Sequence, residues 1–362
     1  MNGKRPDGGW TTNRRGLLKA GLGTAAAGIP MAGALAGPAG ARGRPAPEGE
    51  LVTRPLPGGN GRVAAVGLGT FMTFDTLPGQ PRGHIREIIR RHWEAGGRVF
   101  DVSPLYGASE ANLGEFAHSL GISNRIFLAN KIWSTGEYLW DDSHAERSLQ
   151  QSVERLSRDR PIDVMQCHSL VNVDVIVPLL RAWKREGRIR FVAVTHHEPA
   201  YFDLLAGWVE RGVVDFVQVH YSIHTRDAEQ RILPAAAERG VGVLVNMALE
   251  KARLHAIVQD VQLPDFALDF GIKTWSEFFL KWVIAHPAVT CVLPATSNPD
   301  HVTENVAAMR GPLPDPDMRE RMRAHMQTVD GFDQIARTPW YPGKTYRGLV
   351  SSAQAAVLAR SR

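Results

Sequence analysis

Val63-Ala64-Ala65-Val66-Gly67-Leu68-Gly69-Thr70-Phe71 decides between two folds that the chain otherwise permits. It is a short apolar run of the kind that suits a strand buried on both faces. It ends in Gly-Leu-Gly-Thr, with no third glycine and no helical pattern directly behind. A doubly wound sheet normally carries G-x-G-x-x-G at that turn, so an eightfold barrel is favoured. Working outward, seven more runs follow at 98–102, 126–131, 162–168, 189–195, 214–220, 241–246 and 289–294. Amphipathic stretches such as 85–94, 145–156, 174–185, 228–238 and 274–285 separate them, which argues for parallel strands with crossover helices. The predicted fold class is α/β, a (β/α)8 TIM barrel over 51–312 with 63–69 as its first strand. An N-terminal β-hairpin leads into it, turning at Pro57-Gly58-Gly59-Asn60-Gly61. Residues 313–362 form a C-terminal extension with a helix at 317–329 and a tail that is either loose or packed on the barrel.

In a parallel barrel the C-terminal strand ends gather at one face. Asp101, Lys131 and His168 each close a run, and Tyr106 follows Asp101 in the loop. An unperturbed tyrosine is a weak acid at neutral pH, and an adjacent lysine ammonium is expected to lower its pKa. A carboxylate beside the lysine keeps that ammonium in place. A histidine opposite can polarise a carbonyl while the tyrosine supplies a proton. Carbonyl reduction needs these groups plus a hydride, which no side chain donates, so a nicotinamide or flavin is implied.

With these residues in view, the sequence resembles the aldo-keto reductase family from about Arg54 to Ala308. The resemblance rests on Val66-Gly67-Leu68-Gly69-Thr70, on Asp101 to Tyr106-Gly107 with Ser109-Glu110, and on Asn130-Lys131 and Gln166-Cys167-His168. It continues through Gly187-Arg188-Ile189-Arg190, Val217-Gln218-Val219, Pro294-Ala295-Thr296-Ser297 and Asn305. It implies an NAD(P)(H)-dependent reductase of an aldehyde or ketone, with Asp101, Tyr106, Lys131 and His168 as the catalytic tetrad and Tyr106 as general acid. It implies a nicotinamide held near Gly69, Thr70, Thr195, His196 and Gln218, with His196 standing where relatives carry Asn. Asn246 stands where many relatives have a ring, followed by Ala248 and Leu249, and the stretch Glu250-Lys251-Ala252-Arg253 is the candidate for the pyrophosphate, with Arg253 the better placed to bind it bidentately. Ala295, Thr296, Ser297, His301 and Asn305 are expected around the adenosine. Ala295 and His301 replace the Lys and Arg that often meet a 2′-phosphate, so NADP(H) is placed ahead of NAD(H) by family habit rather than by charge.

Composition bounds the rest. The 362 residues are 44% hydrophobic and 22% charged, ordinary for a globular enzyme. Of the formal net charge of +5, residues 1–41 contribute +4 through Lys4, Arg5, Arg14, Arg15 and Lys19 against Asp7. What is left gives no basic face for nucleic acid. Cys167 and Cys291 sit in apolar runs and read as packing residues. Arg14-Arg15, a Gly/Ala-rich apolar run and Pro38-Ala39-Gly40-Ala41 have the order of a cleavable signal of the twin-arginine type. Export to the periplasm or exterior is therefore expected, with that machinery as a partner, a linker at 42–50 and no stable membrane insertion afterwards. That route carries folded proteins, so a cofactor loaded beforehand and kept for a redox-neutral conversion is an alternative, as is a nucleotide sensor. A metal-dependent barrel hydrolase using His168, His196 or His197, and His220 is a further one, although the preferred reading needs no metal. Trp133, Trp140 and Trp340 are expected at the substrate pocket.

Overall fold

The structure is a computed structural model that describes residues 49–59, 61–134 and 141–360. The expected signal and all but the end of the expected linker lie outside the described residues. Two antiparallel strands, β1 (Thr53–Pro55) and β2 (Arg62–Ala64), form the leading hairpin, pairing Thr53 with Ala64. Its turn uses Gly58, Gly59 and Gly61, all at positive φ, a backbone region that glycine enters without steric penalty.

Eight parallel strands follow: β3 (Leu68–Gly69), β4 (Val99–Asp101), β5 (Phe127–Ile132), β6 (Ile162–His168), β7 (Ile189–His196), β8 (Phe216–His220), β9 (Gly242–Asn246) and β10 (Val289–Val292). They pair in chain order, and the parallel bridges Val66 with Val292 and Gly69 with Ala295 bring the two edges together. The barrel and its hairpin are therefore as expected. One boundary is not. The run 63–69 is divided, because residues 62–64 pair back with β1 while the segment after Ala65 turns to join the ring.

Helices α1 (Gly83–Glu94), α2 (Ser109–Ser119), α3 (Ser143–Arg155), α4 (Val173–Arg185), α5 (Phe202–Glu210) and α6 (Ile232–Arg239) follow strands β3 to β8 in turn. Three helices, α7 (Arg253–Ile257), α8 (Asp265–Asp269) and α9 (Trp275–Ile284), lie between β9 and β10, and α10 (Pro299–Ala307) follows β10. In α1 the buried positions Ile85, Ile88, Ile89 and His92 recur at helical spacing. Helix α2 has no such stripe, because Ser109, Glu110 and Asn112 are among its buried residues.

Side chains alternate across each strand, and the inward positions divide by depth. Phe127, Phe191, Phe216 and Val164 pack together inside the barrel with Leu56 and Val63 of the hairpin. Toward the strand C-termini the same inward rows continue as Asp101, Lys131, Gln166, Thr195 and Gln218. An apolar floor thus supports a polar mouth. Cys291 belongs to the interior cluster and Cys167 to the layer between barrel and helices; both are free thiols.

The C-terminal extension contains α11 (Pro316–Gln327), a 3-10 turn over Phe332–Arg337, and α12 (Leu349–Arg360). Phe332 and Ile335 are buried, and the Arg253 guanidinium donates to the Ile335 carbonyl at 2.9 Å. Tyr341 N–H donates to the Lys251 carbonyl at 3.0 Å, and Val350 N–H donates to Asp75 Oδ2 at 2.7 Å. The segment 332–350 is therefore a strap packed on the barrel. It is fixed near the loop after β9 and again at the loop after β3. No helix among the described residues is long and apolar enough to cross a membrane.

Candidate active site

The strap and the strand ends enclose a cavity of about 680 Å³, within the usual range for a bound small molecule or cofactor. Strand register brings its polar floor together. Lys131 stands opposite Gln166, His168 opposite Thr195, and Thr195 opposite Gln218. Lys131 Nζ donates to both oxygens of Asp101 at 2.8 Å and to the Val102 carbonyl at 2.9 Å. Gln166 and Gln218 donate to Asp101 Oδ1 at 3.1 and 2.8 Å. Asp101 and Lys131 are both almost wholly buried, so they form a desolvated ion pair whose remaining acceptor capacity the two amides fill.

Tyr106 packs against this pair and lines the cavity. Its ring lies 4.8 Å from Lys131 Nζ, meets Phe71 edge-on at 5.0 Å, and meets His168 edge-on at 5.9 Å. The His168 Nδ1 lies 3.2 Å from Ser103 Oγ, a contact that orients the imidazole and leaves its other nitrogen free of that bond. Burial, aided by the charges of Lys131, His197 and His196, pulls the His168 pKa down to about 3. The ring is neutral at physiological pH and suited to polarising a carbonyl oxygen as a neutral donor.

One electrostatic expectation is corrected. The Tyr106 pKa is raised well above its ordinary value, first by burial and then by the negative charge of Asp101, with a smaller contribution from the neighbouring Tyr341. The lysine ammonium expected to lower it is engaged with Asp101, and that carboxylate lies close enough to oppose phenolate formation. Lys131 is itself pulled down by burial, against the opposing pull of Asp101.

The structure brings most of the other predicted positions to the same cavity. Gly69, Thr70, Thr195, His196, Gln218 and Asn246 line its wall, as do Ala248, Leu249, Ala295, Thr296, His301 and Asn305. Thr195 Oγ1 donates to Gln218 Oε1 at 3.3 Å. The buried Asn246 Oδ1 has no hydrogen-bond partner. Two positions are elsewhere. Ser297 is exposed and outside the wall. Arg253 is buried, and its guanidinium is taken up by the Glu250 carboxylate at 2.5 Å and the Ile335 carbonyl. A fork already satisfied on both arms does not turn toward a pyrophosphate, so that expectation is corrected.

Lys251 lines the cavity instead. Its backbone, with Met247, Glu250 and Ala252, has positive φ, which costs on the order of 1 kcal/mol or more for each non-glycine residue unless its surroundings enforce it. Glu250 supplies the enforcement. It is buried and bonded by His220 at 2.7 Å, Ser222 at 2.6 Å and Arg253. Lys251 Nζ lies 3.3 Å from the Trp340 ring centroid. Burial, then the charge of Arg253, lowers its pKa to about 7. Of the three tryptophans expected at the pocket, Trp340 lines it, Trp133 is exposed outside the wall, and Trp140 lies outside the described residues.

The histidines considered as metal ligands are separated by their partners. His220 is held by Glu250, His168 lies against Ser103, and His196 Nδ1 accepts from the Glu198 amide at 3.1 Å. Among the described residues no group of three or more His, Cys, Asp or Glu is arranged to hold a metal.

Sequence reasoning passed over Ser103, Asp75 and Lys344. Each is a common residue type in an irregular segment, and only the fold gives it a neighbour.

Comparison with known proteins agrees with the fold. The chain is 26% identical over 272 residues to L-galactose dehydrogenase of Arabidopsis thaliana, covering 68% of this chain and 85% of that protein. An aldo/keto reductase of Klebsiella pneumoniae, solved in complex with NADP and acetate, superposes with a TM-score of 0.63 at 21% identity, covering 82% of this chain and 99% of that one. The holo form of an aldo-keto reductase of Bacillus halodurans gives 0.61 at 22% identity, covering 76% and 96%. The model of the Aldo/keto reductase family matches residues 65–325. By that match, over well more than half its length, the chain belongs to the aldo/keto reductase family.

Proposed function

We propose that the protein is an NADP(H)-dependent reductase of a small aldehyde or ketone, or the dehydrogenase of the corresponding alcohol, with Tyr106 as general acid. The observation that carries this reading is the convergence of Tyr106, His168 and the Lys131–Asp101 pair on one cavity wall. The fit of a dinucleotide is supported by two features. The cavity has a buried, unpartnered acceptor, Asn246 Oδ1, available to a carboxamide N–H. Its wall also carries two lysines, Lys251 and Lys344, suited to phosphate. When bound, the nicotinamide supplies or accepts the hydride.

The side chains do the rest. Neutral His168 holds the substrate oxygen in place. The Tyr106 hydroxyl gives that oxygen a proton, and Lys131 offsets the charge left on the phenolate. Asp101 keeps the ammonium in register, while Gln166 and Gln218 fix the carboxylate. Thr195, His196 and Gln218 form the wall proposed for the nicotinamide. The raised pKa of Tyr106 fits a group that must stay protonated until hydride reaches the carbonyl.

For the substrate, the Arabidopsis relative is a dehydrogenase of a sugar, L-galactose. The aromatic and imidazole rings of Phe71, His197 and Trp340 around the mouth suit a polyhydroxylated aldehyde whose C–H faces stack while its hydroxyls bond. Export by the twin-arginine route is proposed on the sequence of residues 1–41. The decisive experiment is mass spectrometry of nucleotide carried by the purified protein, with turnover of simple aldehydes and aldoses by wild type and Tyr106→Phe. Absence of any nicotinamide binding, or full turnover in the variant, removes the proposal.

A further inference from the structure

Among the described residues no arginine lines the cavity. Among the described residues Lys251 and Lys344 are the lysines that line it, and neither forms an ion pair with a described carboxylate. The two charges lie in different parts of the cavity. Lys251 rests on Trp340 and faces Phe71 at 4.8 Å, and its charge acts on His197, beside the Tyr106 end. The charge of Lys344 acts on His255 together with that of His301. His255 Nε2 lies 3.1 Å from Ser276 Oγ, which donates to Glu304 at 3.2 Å. Thr296 Oγ1 lies 3.4 Å from His301 Nδ1 in the same wall. The part of the lining that shares His255 with Lys344 is thus the end of the cavity built by β10 and α10.

Chain topology gives the same placement. The strap is fixed at Lys251 after β9 and at Asp75 after β3, and β10 lies between those strands in the ring. Lys344 sits between the two attachments. Its position is set locally by a tight turn, Tyr341-Pro342-Gly343-Lys344, in which Lys344 N–H donates to the Tyr341 carbonyl at 3.0 Å and Gly343 has φ of 68°. Pro followed by a positive-φ Gly is the type II pattern. An exposed lysine on such a turn keeps its ammonium free for a ligand.

We infer that Lys344 supplies the cation for the adenosine 2′-phosphate of NADP(H), and that the strap is the element that selects NADP(H) over NAD(H). The inference rests on the dinucleotide reading of the cavity given above. That end holds Glu304, Thr296 and Ala295 and, among the described lining residues, no other lysine or arginine. A phosphate placed beside Glu304 without a counter-charge would be repelled. A cation for this phosphate is thus supplied from outside the β10–α10 segment, which offers Ala295 and His301 at the positions in question.

The test is calorimetric titration of the full-length protein with NADP+ and with NAD+, for wild type, Lys344→Met and Lys344→Arg. Lys344→Met is expected to weaken NADP+ about tenfold while leaving NAD+ within about twofold, and Lys344→Arg to retain most of the preference. Equal loss for both nucleotides would move the lysine to the pyrophosphate and overturn the inference, as would unchanged NADP+ affinity. If wild type binds both nucleotides equally, selection by the strap is refuted while the reductase reading stands. If wild type binds neither, the reductase reading itself fails. Circular dichroism of each variant separates loss of binding from loss of fold.

Discussion

Asp75 joins the end of the strap to the turn that carries Tyr106: its Oδ2 accepts the Val350 amide at 2.7 Å, and its Oδ1 accepts the Ala108 amide at 2.9 Å. Gly107 and Gly348 make room for this. A Cβ on Gly107 would lie 2.1 Å from Asp75 Oδ1, and one on Gly348 would lie 2.0 Å from the Asp75 carbonyl. The two glycines let two separate stretches of backbone meet around one buried carboxylate.

Replacing Asp75 with Ala leaves two amide donors without that partner, at about 1–3 kcal/mol for each that stays buried. We expect a lower melting temperature, faster proteolysis beyond residue 338 and a several-fold fall in kcat, with the strap cut before the barrel. Limited proteolysis followed by mass spectrometry checks the order. Cleavage of the barrel first would refute the anchoring role.

Tyr106→Phe is expected to reduce kcat at least a thousandfold while nucleotide affinity changes little, which single-turnover kinetics and titration would measure. Lys131→Met should behave differently. It removes half of a buried ion pair, so a stability loss of about 3–5 kcal/mol accompanies the loss of activity. Adding Asp101→Asn should recover much of the stability and none of the turnover.

Nucleotide affinity should depend on pH through Lys251. Burial and Arg253 hold its pKa at about 7 despite the opposing charge of Glu250. A bound phosphate favours the ammonium, so above pH 7 binding must take up a proton. Affinity is then expected to fall as pH rises from 7 to 9, by at most about tenfold per unit. The same titration on Lys251→Met should be flatter over that range.

Acid should destabilise the fold early. His92 and His168 have pKa values lowered to about 3, and His197 and His255 to about 4, in each case mainly by burial. The unfolded chain titrates near the ordinary histidine value and binds more protons between these limits. Stability is therefore present above about pH 6.5 and lost as pH falls toward 4, by roughly 2 kcal/mol at pH 5 for each fully effective group. Thermal melts from pH 7 to 5 should show a steady decline.

For the amino-terminal segment, exchanging Arg14 and Arg15 for Lys is expected to retain the protein inside the producing cell, as read by fractionation and immunoblotting. Unchanged export would exclude the twin-arginine route.

The barrel was legible because its strands are apolar runs punctuated by helical stripes, and the proximity of Asp101, Tyr106, Lys131 and His168 because each closes or follows such a run. What escaped has physical causes. Helix α2 hides its period because its inner face is built of hydrogen-bonding residues: Glu110 accepts from Asn130, Ser152 and Arg155, and Asn112 donates to the Phe74 and Thr76 carbonyls. Arg253 and Lys251 lie two residues apart in one charged loop. Only the Glu250 network and the positive-φ backbone decide which of them reaches the cavity. The strap gives no periodic signal, since loop segments record their contacts in no repeating pattern.

The strap also sets an order of events during biosynthesis. Residues 332–350 leave the ribosome after all eight strands, so a nascent barrel can close while its rim is still unfinished. Capture of the dinucleotide should then follow translation rather than accompany it.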